Sequence, residues 1–148
     1  MNNQTLHNAV DELKANLTDV ARVFEWADLM GYEDPKRFSE KFLRHYGVRP
    51  QKIMELVRLE SIIKYLRSDE NYSNFKIARL HSLPCEKTLN NFTNYHAGVS
   101  PTALKSKTDE EISRLMEKLW SKVMEEYAVG KSGIVLIARR YDHWRETG

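Results

Sequence analysis

The sequence predicts an all-α fold of two helix-turn-helix modules joined by a long connecting helix and followed by a helical C-terminal extension. Three observations predict it. Residues 26–50 return fifty-one positions later without a gap: Trp26-Ala27 as Ile77-Ala78, Leu29 as Leu80, Phe38 as Leu89, His45 as His96, Gly47-Val48 as Gly98-Val99 and Pro50 as Pro101. Each copy also keeps one order of parts. An apolar-Ala pair comes first, then a tight turn (Gly31-Tyr32 with Asp34-Pro35, or Ser82-Leu83-Pro84), a polar segment with one apolar stripe, and Gly-Val-x-Pro. Outside the copies, apolar residues recur at three- and four-residue spacing, the period of a helix face.

The elements follow in order. Leu6, Ala9, Val10, Leu13 and Leu17 predict an amphipathic helix that starts after Thr5. Thr18-Asp19 reads as a second cap, and Val23, Phe24, Ala27 and Leu29 as a helix running from Val20 to the stop marked by Gly31 and Asp34-Pro35. Pro35 opens the first candidate recognition helix, in which Phe38 and Phe42 share an inward face and Lys36, Arg37, Ser39, Glu40, Lys41 and Arg44 point elsewhere. Residues 51–67 carry Ile53, Leu56, Val57, Leu59, Ile62, Ile63 and Leu66 over a broad face and form the connecting helix. After the polar break 68–74, Phe75, Ile77, Ala78 and Leu80 begin the second module. Its second helix, about residues 86–96, turns Leu89 and Phe92 inward and leaves Lys87, Asn90, Asn91 and Asn94 outside. Asparagine is a poor helix former, so its place on an exposed helix points to what its amide can bond.

Beyond Pro101 the repeat stops, which places a domain boundary near residue 105 and an extension over 106–148. Thr108-x-x-Glu111 is a capping box, and Ile112, Leu115, Met116, Leu119, Val123, Met124 and Tyr127 form the stripe of a further helix. Gly130 and Gly133 are followed by Ile134-Val135-Leu136-Ile137-Ala138, a run that periodicity assigns to neither strand nor helix, and by the charged, aromatic residues 139–145.

A chain of 148 residues fits one compact domain or two small ones sharing a core. Its 41% hydrophobic and 30% charged content describes an ordinary globular protein rather than a disordered one. Met1 to Thr5 lacks the pattern of a signal peptide, and no apolar run approaches bilayer length. A cytoplasmic location and no membrane partner are therefore expected. The lone Cys85 cannot form an internal disulfide. Net charge is only +2, but residues 35–67 hold nine Lys and Arg (Lys36, Arg37, Lys41, Arg44, Arg49, Lys52, Arg58, Lys64, Arg67) against three Glu (Glu40, Glu55, Glu60). Such local positive charge is the footprint of a phosphate-backbone binder or, more plainly, a solvated helix face.

The run from Trp26 to Phe42, followed by Gly47-Val48-Arg49-Pro50, resembles the signature of AraC-type (AraC/XylS) transcriptional regulators. Arg58-Leu59 with Ile62, Ile63 and Leu66 is similar to that family's connecting helix, and Gly98-Val99-Ser100-Pro101 closes the second copy in the same way. The resemblance covers about residues 6–105. It implies an all-helical DNA-binding unit whose two recognition helices enter successive major grooves on one face of the duplex. The positions it implies for base reading are Lys36, Ser39 and Glu40 around Phe38, and Lys87, Asn90 and Asn91 around Leu89. Lysine reaches guanine, asparagine grips adenine and glutamate accepts from cytosine. Arg37, Lys41, Arg44 and Lys52 are the expected phosphate contacts. The chain departs from the family at Glu40 and Asn91, where Arg is common, at Thr93 in the second inward slot, and at Ser82 in place of the turn glycine. No large effector domain precedes the repeat, so a small stand-alone member is expected, regulated by abundance, by its extension or by a partner.

Catalytic, metal and cofactor readings find no pattern. Pro84-Cys85-Glu86 superficially resembles an alkyl-transfer site, but a reactive thiol needs a setting that lowers its pKa, and inert cysteine is the plainer reading. His7, His45, His81, His96 and His143 lack zinc spacing. Gly130-Lys131-Ser132 is no phosphate loop, because Glu125 stands where the loop needs glycine. The functional expectation is a sequence-specific DNA-binding transcription regulator with no enzymatic activity and no cofactor. The alternative is a protein-interaction module on the same scaffold. The extension could close the core, form a dimer surface or dock RNA polymerase or another protein, and monomer and dimer both stay open.

Overall fold

The fifty-one-residue period of the sequence is also the period of the backbone. The computed structural model describes residues 6–127, the last four by backbone alone, and the described residues are all-helical, with no strand among them. Two consecutive helices, α2 (Val23–Leu29) and α3 (Pro35–Tyr46), recur as α5 (Asn74–Leu80) and α6 (Glu86–Ala97), each bound displaced by fifty-one residues. Likewise α4 (Pro50–Leu66) and α7 (Pro101–Ser106) both open on proline. The chain begins with α1 (Ala9–Ala15) and its description ends in α8 (Asp109–Tyr127).

Matching hydrogen bonds make the two copies match. The turn after α2 bends at Gly31 (φ 84°) and that after α5 at Ser82 (φ 65°), and the next N–H closes it in both, Tyr32 to Ala27 O and Leu83 to Ala78 O at 2.9 Å. Gly47 and Gly98 leave α3 and α6 in the left-handed conformation (φ 78° and 79°), donating to Leu43 O at 2.7 Å and Asn94 O at 3.1 Å. Glycine ends helices this way because it has no Cβ to meet the following carbonyl. Asp34 caps α3 by accepting from Lys36 N at 3.0 Å, and Ser73 does the same for α5 from Lys76 N at 3.0 Å.

The N-terminal elements differ from expectation. The first helix is split, with a 3-10 turn at Leu6–Asn8 before α1 and a second at Leu17–Asp19 after it. The Tyr46 hydroxyl donates to Leu6 O, and Trp26 Nε1 donates to Ala9 O at 3.0 Å, so tertiary bonds hold this segment. Helix α2 starts at Val23 rather than Val20. Its N-cap is Arg22 and not Thr18-Asp19, and Glu25 in the first turn reaches back, its Oε1 accepting from Ala21 N (2.7 Å) and Arg22 N (3.0 Å). The expected capping box of α8 is present, Thr108 N to Glu111 Oε1 at 2.9 Å and Glu111 N to Thr108 Oγ1 at 3.1 Å.

Helix α4 is the axis of the fold. It touches α1, α2 and α3 as well as α5, α6, α7 and α8, and it buries residues on nearly every side, Ile53, Met54, Val57, Leu59, Ile62 and Ile63 among them. A helix buried all round has no single apolar stripe. The first copy adds an aromatic cluster, with Trp26 edge-on to Phe38 (5.5 Å) and Phe42 (5.1 Å), and Phe42 against Tyr46 (4.4 Å). The equivalent residues of the second copy, Ile77, Leu89, Thr93 and Ala97, are smaller. Thr93 rather than Phe92 takes the fully buried slot there, its hydroxyl donating to Asn90 O at 3.2 Å, and Phe92 is half-buried.

Helix α8 closes the core along α4, burying Ile112, Met116, Trp120 and Val123. Arg67 at the end of α4 locks this closure. Its guanidinium donates to Leu104 O (3.0 Å) and Lys107 O (2.5 Å) and pairs with Asp109 Oδ1 (2.6 Å). The side chains of Met124 and Tyr127, the Gly130-Lys131-Ser132 turn, the run 134–138 and residues 139–145 lie outside the described residues.

Candidate nucleic-acid interface

Helix α3 is held from behind by Phe38 and Phe42, both fully buried, and this fixes the face it turns outward. With 3.6 residues per turn, Lys36, Glu40 and Arg44 form one outward ridge. Arg37 and Lys41 lie beside it, and Ser39 flanks the other side. Lys36, Arg37, Glu40 and Arg44 are exposed, and Ser39 and Lys41 half-exposed. Among the described residues no ion pair engages any of these four cations. The face therefore presents unneutralised positive charge around one carboxylate.

Helix α6 is held by Leu89 and Thr93, and its ridge is Lys87, Asn91 and Tyr95, with Asn90 flanking. Lys87, Asn90 and Asn91 are exposed, as the sequence reading requires. Tyr95, at 84% the most exposed large hydrophobic side chain among the described residues, carries no mark in the sequence reading. The repeat held the signal, since Tyr95 stands in the register of Arg44. Asn94 Nδ2 donates to Asn90 O at 2.8 Å, so that amide lies along its own helix.

Lys52 sits on the first turn of α4, exposed, at the rim of a groove lined also by Glu55, Leu56, Tyr95, His96, Leu119 and Lys122. His96 Nδ1 is 4.0 Å from Glu55, but burial lowers the His96 pKa more than Glu55 raises it, so near neutral pH the contact is not a standing ion pair. Two members of the basic segment are structural instead. Arg58 is buried, its Nη2 donating to Ala21 O at 2.8 Å, and Arg67 is occupied as described. Of the glutamates counted against them, Glu60 is buried, 3.6 Å from Lys14, and its pKa is raised chiefly by desolvation.

Cys85 is exposed at the residue before α6, 3.5 Å from the Thr88 hydroxyl, and hydrogen bonding from Thr88 lowers its pKa. His81, in the register of Met30, is a core residue, with Nδ1 2.7 Å from Ile77 O and Nε2 2.8 Å from Ser61 Oγ, and burial lowers its pKa. Among the described residues no group of His, Cys, Asp and Glu is placed to hold a metal ion. No helix among them is long and apolar enough to cross a membrane.

No protein-family model matches the chain, and neither a curated protein nor a solved structure does. The resemblance to AraC-type regulators thus rests on the residues quoted for it.

Proposed function

We propose that the chain is a sequence-specific DNA-binding transcription regulator in which α2/α3 and α5/α6 act as helix-turn-helix modules. In this reading α3 and α6 enter successive major grooves, with Lys36, Ser39, Glu40, Lys87, Asn90 and Asn91 against bases. Arg37, Lys41, Arg44 and Lys52 lie against phosphates. The observation that carries it is the repeated backbone: two second helices of equal length, each held by buried residues from behind and each presenting an exposed polar ridge. The unpaired cations of α3 supply the phosphate attraction such a protein needs. The resemblance to AraC-type regulators supports the same assignment.

Selection from a random duplex library at about physiological salt tests it. Specific binders stand roughly a thousandfold or more above non-specific ones, and two enriched blocks about one helical turn apart are expected. Combined Lys36→Ala and Arg37→Ala substitution should weaken that binding, and unchanged affinity at moderate salt would remove those residues from the interface. A second reading, a protein-interaction module, draws on Phe24 and Phe75, which are half-exposed at one register of α2 and α5. An apolar interface of that kind would hold its partner as salt rises, whereas DNA binding weakens.

A further inference from the structure

The backbone repeats, but the chemistry on it does not. Along α3 the outward ridge and its flank read Lys36, Arg37, Glu40, Lys41, Arg44. The same positions of α6 read Lys87, Thr88, Asn91, Phe92, Tyr95. Five charged side chains become one. Because the helix bounds coincide after the displacement of fifty-one residues, these are substitutions at matched places and not a shift of register.

Uncharged amides cannot neutralise phosphates, so α6 has little to offer a nucleic-acid backbone beyond Lys87. What they can do is bind bases. A carboxamide presents one donor and one acceptor in a plane, the complement of adenine N6 and N7 in the major groove. The Asn90 and Asn91 side chains are exposed and engaged in no hydrogen bond within the described protein, whereas Asn94 is bonded back to Asn90 O. That leaves two free readers. Asparagine in a helix interior is unfavourable relative to alanine, so two adjacent exposed copies weaken α6 without any packing return.

Resting on the DNA-binding reading above, we propose that the two helices divide the work. Helix α3 supplies the phosphate attraction that sets sequence-independent affinity and its salt dependence. Helix α6 reads a block of A·T pairs through Asn90 and Asn91 and contributes little to either.

The test uses the full chain and two double variants, Asn90→Ala with Asn91→Ala and Arg37→Ala with Lys41→Ala, all substituted at surface positions where alanine favours the helix. Each is put through selection from a random duplex library, and affinity for the wild-type-enriched duplex is then measured against salt. The wild type should enrich two blocks, one with adenines at fixed positions. The asparagine variant should lose preference in that block alone, by roughly five- to a hundredfold per adenine, with the slope of log affinity on log salt unchanged. The Arg37/Lys41 variant should retain both blocks and lose about two units of that slope, near one per phosphate contact. Two enriched blocks that survive the asparagine substitutions, or a lost block made of G·C pairs, would overturn this proposal and leave the DNA-binding reading standing. A slope that falls with the asparagines rather than with Arg37 and Lys41 would do the same. No enrichment by the wild type would overturn both.

Discussion

Replacing Ser82 by glycine should stabilise the protein. Ser82 holds φ at 65°, in the left-handed region, at the turn position where the first copy has Gly31 at 84°. An L-residue with a Cβ costs about 1–2 kcal/mol there. The serine side chain is exposed and engaged in no hydrogen bond within the described protein, so removing it forfeits no hydrogen bond. Glycine returns about 0.4–1 kcal/mol of the gain through its freer unfolded chain. The net effect is a stabilisation of about 0.5–1 kcal/mol, or roughly 1–4 °C in Tm for a chain of this size. Gly98→Ala is the matched control. It imposes the same strain at φ +79°, and a Cβ there meets nothing within 4 Å, so it should cost a similar amount through the backbone alone. Urea unfolding followed by far-UV circular dichroism reads both as shifts of midpoint at constant m. A Ser82→Gly variant no more stable than wild type, beside a Gly98→Ala variant that loses stability, would refute the argument that the turn is strained.

Two further outcomes follow from polar groups, the half-buried Arg67 and the buried Glu60. Arg67→Ala should cost about 2–4 kcal/mol in urea unfolding, because it strands the Leu104 and Lys107 carbonyls and frees Asp109 at the start of α8; a loss below 1 kcal/mol would mean that α8 is held by its apolar stripe alone. Glu60→Gln should change the pH dependence: burial raises the Glu60 pKa, so the native state keeps its proton longer than the unfolded chain, and stability falls as pH rises from about 4.5 towards the folded pKa. The glutamine variant should lack that fall, and identical urea midpoints for the two proteins from pH 4 to 8 would show that Lys14 compensates the charge.

Much of the fold was legible because repeated residues do repeated jobs. Gly47 and Gly98 mark two helix exits, Pro50 and Pro101 two helix starts, and Phe38 and Leu89 two inward anchors, all visible as identities or near-identities in register. Local chemistry was equally readable at Asp34-Pro35 and at Thr108-x-x-Glu111, where cap and helix lie within four residues. What escaped depended on distance or on a side chain with two uses. Arg58 and Arg67 looked like surface cations because their carbonyl partners lie 37 or more residues away. Glu25 follows no Ser, Thr, Asp or Asn cap that would mark it, yet it reaches back to start α2. At the candidate interface, the faces of α3 and α6 follow from the helical period once Phe38 and Leu89 are fixed. Tyr95 shares the register of Arg44, but it lies outside the positions the resemblance implies and carries no charge to mark it.

The two copies also differ in what holds them, and this bears on how each would act. Around α3 the rings of Trp26, Tyr32, Phe38, Phe42 and Tyr46 interlock within the first copy. Large aromatic side chains carry most of such a core's burial. Around α6 the matched residues are Ile77, Leu83, Leu89, Thr93 and Ala97, which bury far less. The second copy must therefore lean on its neighbours, and the arrangement supplies them: α7 packs against α6 and α4, α8 lies along α4, and Arg67 clamps the α7–α8 junction to the end of α4. The far end of α8 meets the far end of α6 in the groove that joins Tyr95 and His96 to Leu119 and Lys122. The side chains of α8 and α6 thus share a groove, while α3 is backed by the aromatic cluster of the first copy. If the proposed division holds, with α3 supplying attraction and α6 discrimination, that groove sets the extension beside the discriminating helix.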